Sequence, residues 1–275
     1  MPTPHLRLTS RQHPVVRAFR DLAGARRGRD LVLLDGAHLI GEAFTNRVRV
    51  ETVIVGARFA ADAGNAGRSL LGRLERAGAT IYDASDLVID AASPVRTSSG
   101  VVAIAHWAPA DLAAVFAPPP ALVIGLVGVQ DPGNLGAAIR SADALGATGV
   151  IAIDDAADPG GWKALRGAMG STFRLPVARA PLGDVLAAAA GARVQVLAAA
   201  TRGGRDLADA ALGKATLVLL GSEGAGLPND ALPTSATPLT VPMREGVESL
   251  NVAVTAALIL YEARRQRAAA PAKAR

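Results

Sequence analysis

Three loops of this 275-residue chain hold the side chains whose types and spacing could do chemistry. In the first, Asp131-Pro132-Gly133 makes a turn, Asn134 stands where it can cap the helix that follows, and Arg140 lies six residues on. A guanidinium offers a planar fork of donors to a phosphate, although an Arg140–Asp143 surface pair at i,i+3 spacing is the plainer use of that residue. In the second loop an apolar run ends in Gly221-Ser222-Glu223-Gly224-Ala225-Gly226, where three glycines let backbone approach a ligand closely. In the third, Ser249 and Asn251 flank Leu250 where a long helix starts, and the plainer reading is a capping serine with a neighbouring polar residue.

Several familiar chemistries are excluded. No Gly-Lys-Ser/Thr follows the glycines, so neither loop is a phosphate loop. The G-x-x-G-x-G spacing at 221–226 reverses the dinucleotide fingerprint and opens no helix, which counts against a nicotinamide-dependent dehydrogenase. The chain has no cysteine, hence no disulfide, thiolate metal site or thiol nucleophile. His5, His13, His38 and His106 lie far apart without ligand spacing, so no metal is expected.

The elements that must position these loops alternate between apolar runs and helical patterns, the signature of an α/β protein. Strands are predicted at 31–36, 52–56, 79–82 and 101–106, with helices near 37–45, 66–77 and 85–91. After WAPADLAAVFAPPP (107–120), whose prolines predict a linker, come strands at 121–129, 149–153, 175–178, 194–200, 216–221 and 238–241. Helices fall at 134–146, 162–168, 182–190 and 250–266. Near-continuous apolar strands between helices predict a parallel sheet covered on both faces, with ligands at the strand ends. The last helix is apolar on two faces: Val252, Ala256 and Ile259 on one, and Leu250, Val254, Leu258 and Tyr261 on the other. One face can cover its own sheet; the second predicts a partner subunit.

Half the residues are hydrophobic and 19% are charged, which excludes a disordered chain. No apolar run reaches the ~18 residues of a membrane helix, and MPTPHLRLTSRQHP has no signal-peptide core, so a soluble, cytoplasmic protein is expected. Charge is uneven. Residues 1–29 carry seven arginines and one acid, and residues 264–275 carry five basic residues and no acid. Basic ends on a mildly acidic body suit nucleic-acid contact, and equally suit a solvated charge run.

Taken together, in this order and spacing, the three loops resemble the SpoU (SPOUT) family of RNA 2′-O-ribose methyltransferases, in its TrmH-like branch. Asn134 and Arg140 match the family's N-x-x-x-x-x-R helix start, and GSEGAGL and VPMREGVESLNVAV match its second and third motifs. The resemblance is strong over 121–265. The earlier stretches TSRQHPVVRAFRDL and the chain up to VVAIAH resemble the family's RNA substrate-binding domain more weakly. Asp35 replaces a common Glu, and Asp131 a common Asn.

The resemblance implies a substrate-binding α/β domain over 1–107 with a basic N-terminal arm, a linker over 108–120, a trefoil-knotted SPOUT catalytic domain over 121–266 and a basic tail over 267–275. S-adenosylmethionine would sit bent in the knot, held mostly by backbone around Gly221, Val241, Met243 and Leu250, with Thr201 nearby. The reaction moves a methyl group to a ribose 2′-hydroxyl without a metal. The family gives the motif-one arginine the activating role. A guanidinium, with pKa above about 12, is a poor base, so Arg140 better serves by gripping the adjacent phosphate. Asn134 would orient Arg140 or the ribose, Glu223 would accept hydrogen bonds, and Ser249 and Asn251 would complete the pocket. The implied partners are RNA, large-subunit ribosomal RNA ahead of tRNA, and a second copy of the chain through the C-terminal helix. A non-catalytic RNA-binding assembly factor is the competing class; it would not need this polar set.

Overall fold

The computed structural model describes residues 6–24, 30–117, 119–222, 224, 226–228 and 232–269. The chain divides into two compact units, Met1–Ala108 with Gly160–Phe173, and Pro109–Pro159 with Arg174–Arg275.

The first unit runs β1 (Leu6–Leu8), α1 (Pro14–Gly24), β2 (Leu31–Asp35), α2 (Ala37–Thr45), β3 (Val50–Gly56), α3 (Ala57–Asp62), α4 (Gly64–Arg76), β4 (Thr80–Ala84), α5 (Asp86–Ala92) and β5 (Val101–His106). Its sheet has the order β1-β4-β3-β5-β2, with β5 antiparallel to both neighbours. Strand alternation divides the side chains between two cores. Val32, Leu34, Val53, Val55, Val101 and Ala103 face α2 and α4 on one side. Leu33, Ile54, Val102 and Ile104 face α1 and α5 on the other. No element was expected before residue 31, yet β1 and α1 form there. Val16 and Phe19 of α1, spaced at i,i+3 among arginines, are both buried.

The second unit continues with α6 (Leu112–Phe116), β6 (Leu122–Val127), α7 (Pro132–Leu145) and β7 (Gly149–Ile153). After α8 (Trp162–Ala168) it resumes with β8 (Val177–Ala180), α9 (Leu182–Gly191), β9 (Gln195–Ala199), β10 (Arg205–Asp206), β11 (Thr216–Gly221), β12 (Thr237–Thr240) and α10 (Val252–Ala269). The seven strands take the order β10-β12-β9-β11-β6-β7-β8, every pair parallel. This is the expected parallel α/β sheet. α6 and α9 cover one face, and α7 and α10 pack together on the other.

Three expected boundaries move. The proline-rich stretch 108–120 is not a linker: Ala110 bridges Ala178, and Val115 and Phe116 of α6 are buried in the second unit's core. Prolines flank this segment without preventing a five-residue helix whose apolar end has a core to enter. α8, expected inside the catalytic domain, groups with the first unit. It packs on the edge strand β2, with Leu165 in one core and Trp162 against the other.

The third change concerns the basic tail. α10 runs through Ala269, and Arg267 is tied into the fold. Its guanidinium donates to the carbonyls of Leu212 (3.0 Å), Pro120 (2.7 Å), Ala121 (2.9 Å) and Lys214 (2.8 Å). Burial lowers its pKa from the ordinary value. Arg264 donates to the Ala144 carbonyl at 2.9 Å, and Arg265 pairs with Glu262 at 2.8 Å. These three cations hold the protein's own acceptors. Arg26, Arg27, Arg29, Lys273 and Arg275 lie outside the described residues.

Candidate functional site

A cavity of about 270 Å³ opens where β9, β11 and β12 end, the place at which parallel α/β sheets gather ligands. β9 contributes Thr201 and the alanines before it, and β11 contributes Leu220, Gly221 and Ser222. The loop after β12 adds Val241 and Met243, and the approach to α10 adds Ser249 and Leu250. All five residues expected to hold a cofactor, together with Ser249, therefore line one cavity. Sequence reasoning missed Leu239 and Thr255, which line it too. Strand ends in a parallel sheet would have pointed to Leu239; Thr255, one turn into an apolar helix, carries no comparable signal.

No described side chain in that lining is charged, so the available polar contacts are backbone groups and hydroxyls. Gly221 is required there by space. A Cβ on it would overlap the backbone of Gly226 and Leu227, where the chain doubles back and Gly226 N–H donates to the Ser222 carbonyl at 3.0 Å. Glu223 lies outside the described residues.

α7 supplies the first motif. Its cap is Asp131, not Asn134: the Asp131 carboxylate accepts the Asn134 backbone N–H at 2.7 Å, and Pro132 occupies the first turn. The Asp-Pro step, followed by Gly146 at the far end in the left-handed conformation, was the available signal. Relieved of capping, the Asn134 side chain accepts a hydrogen bond from Asn251 Nδ2 at 3.0 Å.

Asn251 is itself the cap of α10. Its Oδ1 accepts the N–H groups of Ala253 (3.0 Å) and Val254 (3.3 Å). One amide thus closes the start of α10 and reaches across to α7, joining the third motif to the first. Ser249, expected to cap this helix, does not: Asn251 takes that place, and Ser249 is exposed at the cavity.

Arg140 is exposed on α7, and its guanidinium makes no hydrogen bond or ion pair among the described residues. The Arg140–Asp143 pair does not form. Asp143 instead accepts from Arg174, with both N···O distances at 2.8 Å. Arg140, Asn134 and Asn251 are not among the residues lining the cavity; they stand on the helices whose ends adjoin it. The arrangement offers an uncharged cleft for a ligand, and a helix tied to it by the Asn251–Asn134 bond that carries an unengaged guanidinium suited to an anionic second reactant.

The SpoU rRNA methylase family pattern matches residues 121–261. A 23S rRNA (guanosine(2553)-2′-O)-methyltransferase of Bacillus subtilis, RlmP, is 32% identical over 234 residues, 84% of this chain and 88% of the relative. An rRNA methyltransferase from Sinorhizobium meliloti, solved with AdoMet bound, superposes with a TM-score of 0.83 at 28% identity, covering 94% of this chain and 97% of its own. The SpoU methyltransferase AviRb from Streptomyces viridochromogenes, also solved with AdoMet, gives 0.82 at 29% identity over 93% and 99%. With three motifs, one cavity and likeness of this extent in agreement, the chain belongs to the SpoU rRNA methylase family.

Proposed function

We propose that this protein transfers a methyl group from S-adenosylmethionine to a ribose 2′-hydroxyl of RNA, with large-subunit ribosomal RNA as the first substrate to test. The observation that carries this reading is the Asn251–Asn134 bond, which couples the uncharged cavity to the helix bearing the unengaged Arg140. Relatives named as 23S rRNA methyltransferases support the ribosomal choice.

The cavity suits the donor on three counts: a volume of about 270 Å³, a lining without opposing charge, and a glycine where backbone must pass closely. Gly221, Val241, Met243 and Leu250 would hold it through backbone groups and apolar contact, with Thr201 at the side. When bound, the donor supplies an electrophilic methyl group on a sulfonium. The chain's own residues must position the 2′-hydroxyl, exclude water and neutralise the neighbouring phosphate. Arg140 grips that phosphate bidentately. Asn134, held by Asn251, orients the ribose or Arg140, and the Ser249 hydroxyl borders the reacting atoms. As the oxygen attacks in line, its proton would pass to solvent at the cleft mouth and the carbon–sulfur bond would break to leave the donor as a neutral thioether, so an electrostatically relieved hydroxyl is the main requirement.

Two further features belong to this reading. The trefoil knot is supported by the strand order. β12 lies two strands from β11, beyond β9, yet the chain that follows it joins the cavity beside both before α10 packs on α7. A homodimer through α10 is supported by Val254, Leu258 and Tyr261, all exposed on one stripe. The first unit would hold RNA, and the site of action would be the cytoplasm. Among the described residues no helix is long and apolar enough to cross a membrane.

The deciding experiment incubates the protein with methyl-labelled S-adenosylmethionine and unmodified transcripts of large-subunit ribosomal RNA and of tRNA. Label on a ribose 2′-oxygen of the ribosomal transcript is expected. Label confined to tRNA would move the substrate; donor and RNA binding without transfer would make this a binding factor.

A further inference from the structure

Two exposed arginines outside the three motifs adjoin residues that line the cavity: Arg202 follows Thr201, and Arg205 pairs with Leu239. Neither guanidinium makes a hydrogen bond or ion pair among the described residues. Arg58, Arg174 and Arg265, also exposed, each hold a carboxylate instead.

The loop carrying both is held firmly. Thr201 lines the cavity, and the chain then passes through Gly203, in the left-handed region, to Gly204. A Cβ on Gly204 would lie 2.9 Å from the Leu239 nitrogen and 2.8 Å from the Pro238 carbonyl carbon, so only glycine lets this loop press on β12. Thr240 locks it: its Oγ1 accepts the Gly204 N–H at 3.0 Å and donates to the Ala200 carbonyl at 3.1 Å. Arg205 then pairs in register with Leu239, a cavity-lining residue. Asp206, the nearest acid in sequence, accepts the Ala208 N–H at 3.0 Å and caps its own short turn.

We infer that Arg202 and Arg205 form a fixed phosphate-binding rim that holds the RNA strand beside the target ribose. Two guanidiniums on a rigid, glycine-pinned loop next to the cavity, without carboxylate partners, fit a polyanion that arrives with its substrate hydroxyl. The inference rests on the methyl-transfer reading for its substrate, while its evidence is separate from Arg140 and the three motifs.

The test measures binding of an unmodified large-subunit ribosomal RNA transcript to the full-length protein across a salt series, for wild type, R202A/R205A and R202K/R205K. Each lost phosphate contact should lower the slope of log affinity against log salt by about 1, so the alanine variant should lose about 2 and bind roughly tenfold more weakly. Affinity for S-adenosylhomocysteine should hold, KM for RNA should rise with kcat unchanged, and the lysine variant should restore the slope. An alanine variant with the wild-type slope would overturn the rim. So would loss of S-adenosylhomocysteine binding in both variants, which would make the loop structural. Wild-type RNA binding without methyl transfer would instead defeat the proposed reaction and leave the rim standing or falling on its slope.

Discussion

Both units carry a cavity where their parallel strands end, and they treat charge in opposite ways there. In the first unit, Arg58 and Asp62 border a cavity of about 360 Å³. Arg58 is held by Asp86 at 3.2 Å and Asp90 at 3.8 Å, and Asp35 accepts the hydroxyls of Ser93 (2.6 Å) and Ser99 (3.2 Å). In the second unit the described lining is uncharged, and the neighbouring Arg140, Arg202 and Arg205 have no partner among the described residues. The apolar surface follows suit. Leu87, in the first unit, is exposed singly, whereas Val254, Leu258 and Tyr261 share one stripe of α10. A group whose partner is built in stabilises the chain; a group left without one is available to something that binds. At the two cavities the contrast supports the proposal that the chemistry belongs to the second unit.

The largest test of this contrast replaces the two arginines in parallel. Arg140→Ala should lower methyl transfer by ~10²–10³ while S-adenosylhomocysteine binds as before, because the lost contact strengthens in the transition state. Arg140→Lys should fail as well, since a point charge does not reproduce the fork. Arg58→Ala should leave turnover near wild type. Equal losses at both arginines would erase the distinction.

The cavity itself is sharpened by glycine. Gly221→Ala forces a Cβ into the Gly226–Leu227 backbone and should abolish S-adenosylhomocysteine binding in calorimetry, whereas Gly213→Ala, with nothing within 4 Å of its Cβ, should bind normally. Normal binding by Gly221→Ala would move the donor elsewhere. A smaller change is expected on α10. Wild type should sediment at about twice 27.9 kDa, and Val254→Glu or Leu258→Glu should yield monomer. A monomeric, fully active wild type would show that the stripe needs no partner.

The smallest effect concerns acid. Hydrogen bonds from Arg265 and then Gln266 hold the Glu262 carboxylate down to about 2, from an ordinary 4.5. A depressed carboxylate contributes stability above its unfolded value and loses it as pH falls through the folded one. The contribution is therefore complete above about 4.5 and gone below about 2. Thermal melts of Glu262→Gln should converge on wild type across that window; a constant gap would mean the carboxylate's charge does not matter.

The site was legible where its chemistry is local. Gly221, Ser249 and Asn251 sit in loops or at a helix start whose composition differs from the surrounding apolar runs, whereas Arg140, in the second half of α7, stood out only through the motif resemblance; the second stripe of α10 can be read from helical spacing alone. What escaped depends on partners distant in sequence. The burial of Val16 and Phe19 needs the sheet of the first unit, and Val115 and Phe116 need the core formed by strands that follow them. Arg267 reads as one more charge in a basic tail until four carbonyls from residues 120–214 converge on it. Asp131 was misjudged for another reason: Asn and Asp cap equally well, and only the Asp131–Asn134 geometry decides between them.

The grouping of Gly160–Phe173 with the first unit has a consequence for the order in which the chain can mature. Synthesis delivers the N-terminus first, and domains ordinarily fold as they emerge. Here β1 to β5 emerge complete but without Leu165 and Trp162, which close the edge at β2. Those residues follow only after β6, α7 and β7 have been made. The N-terminal unit therefore receives the residues that cover its edge only after much of the sheet that carries Arg140's helix has been synthesised.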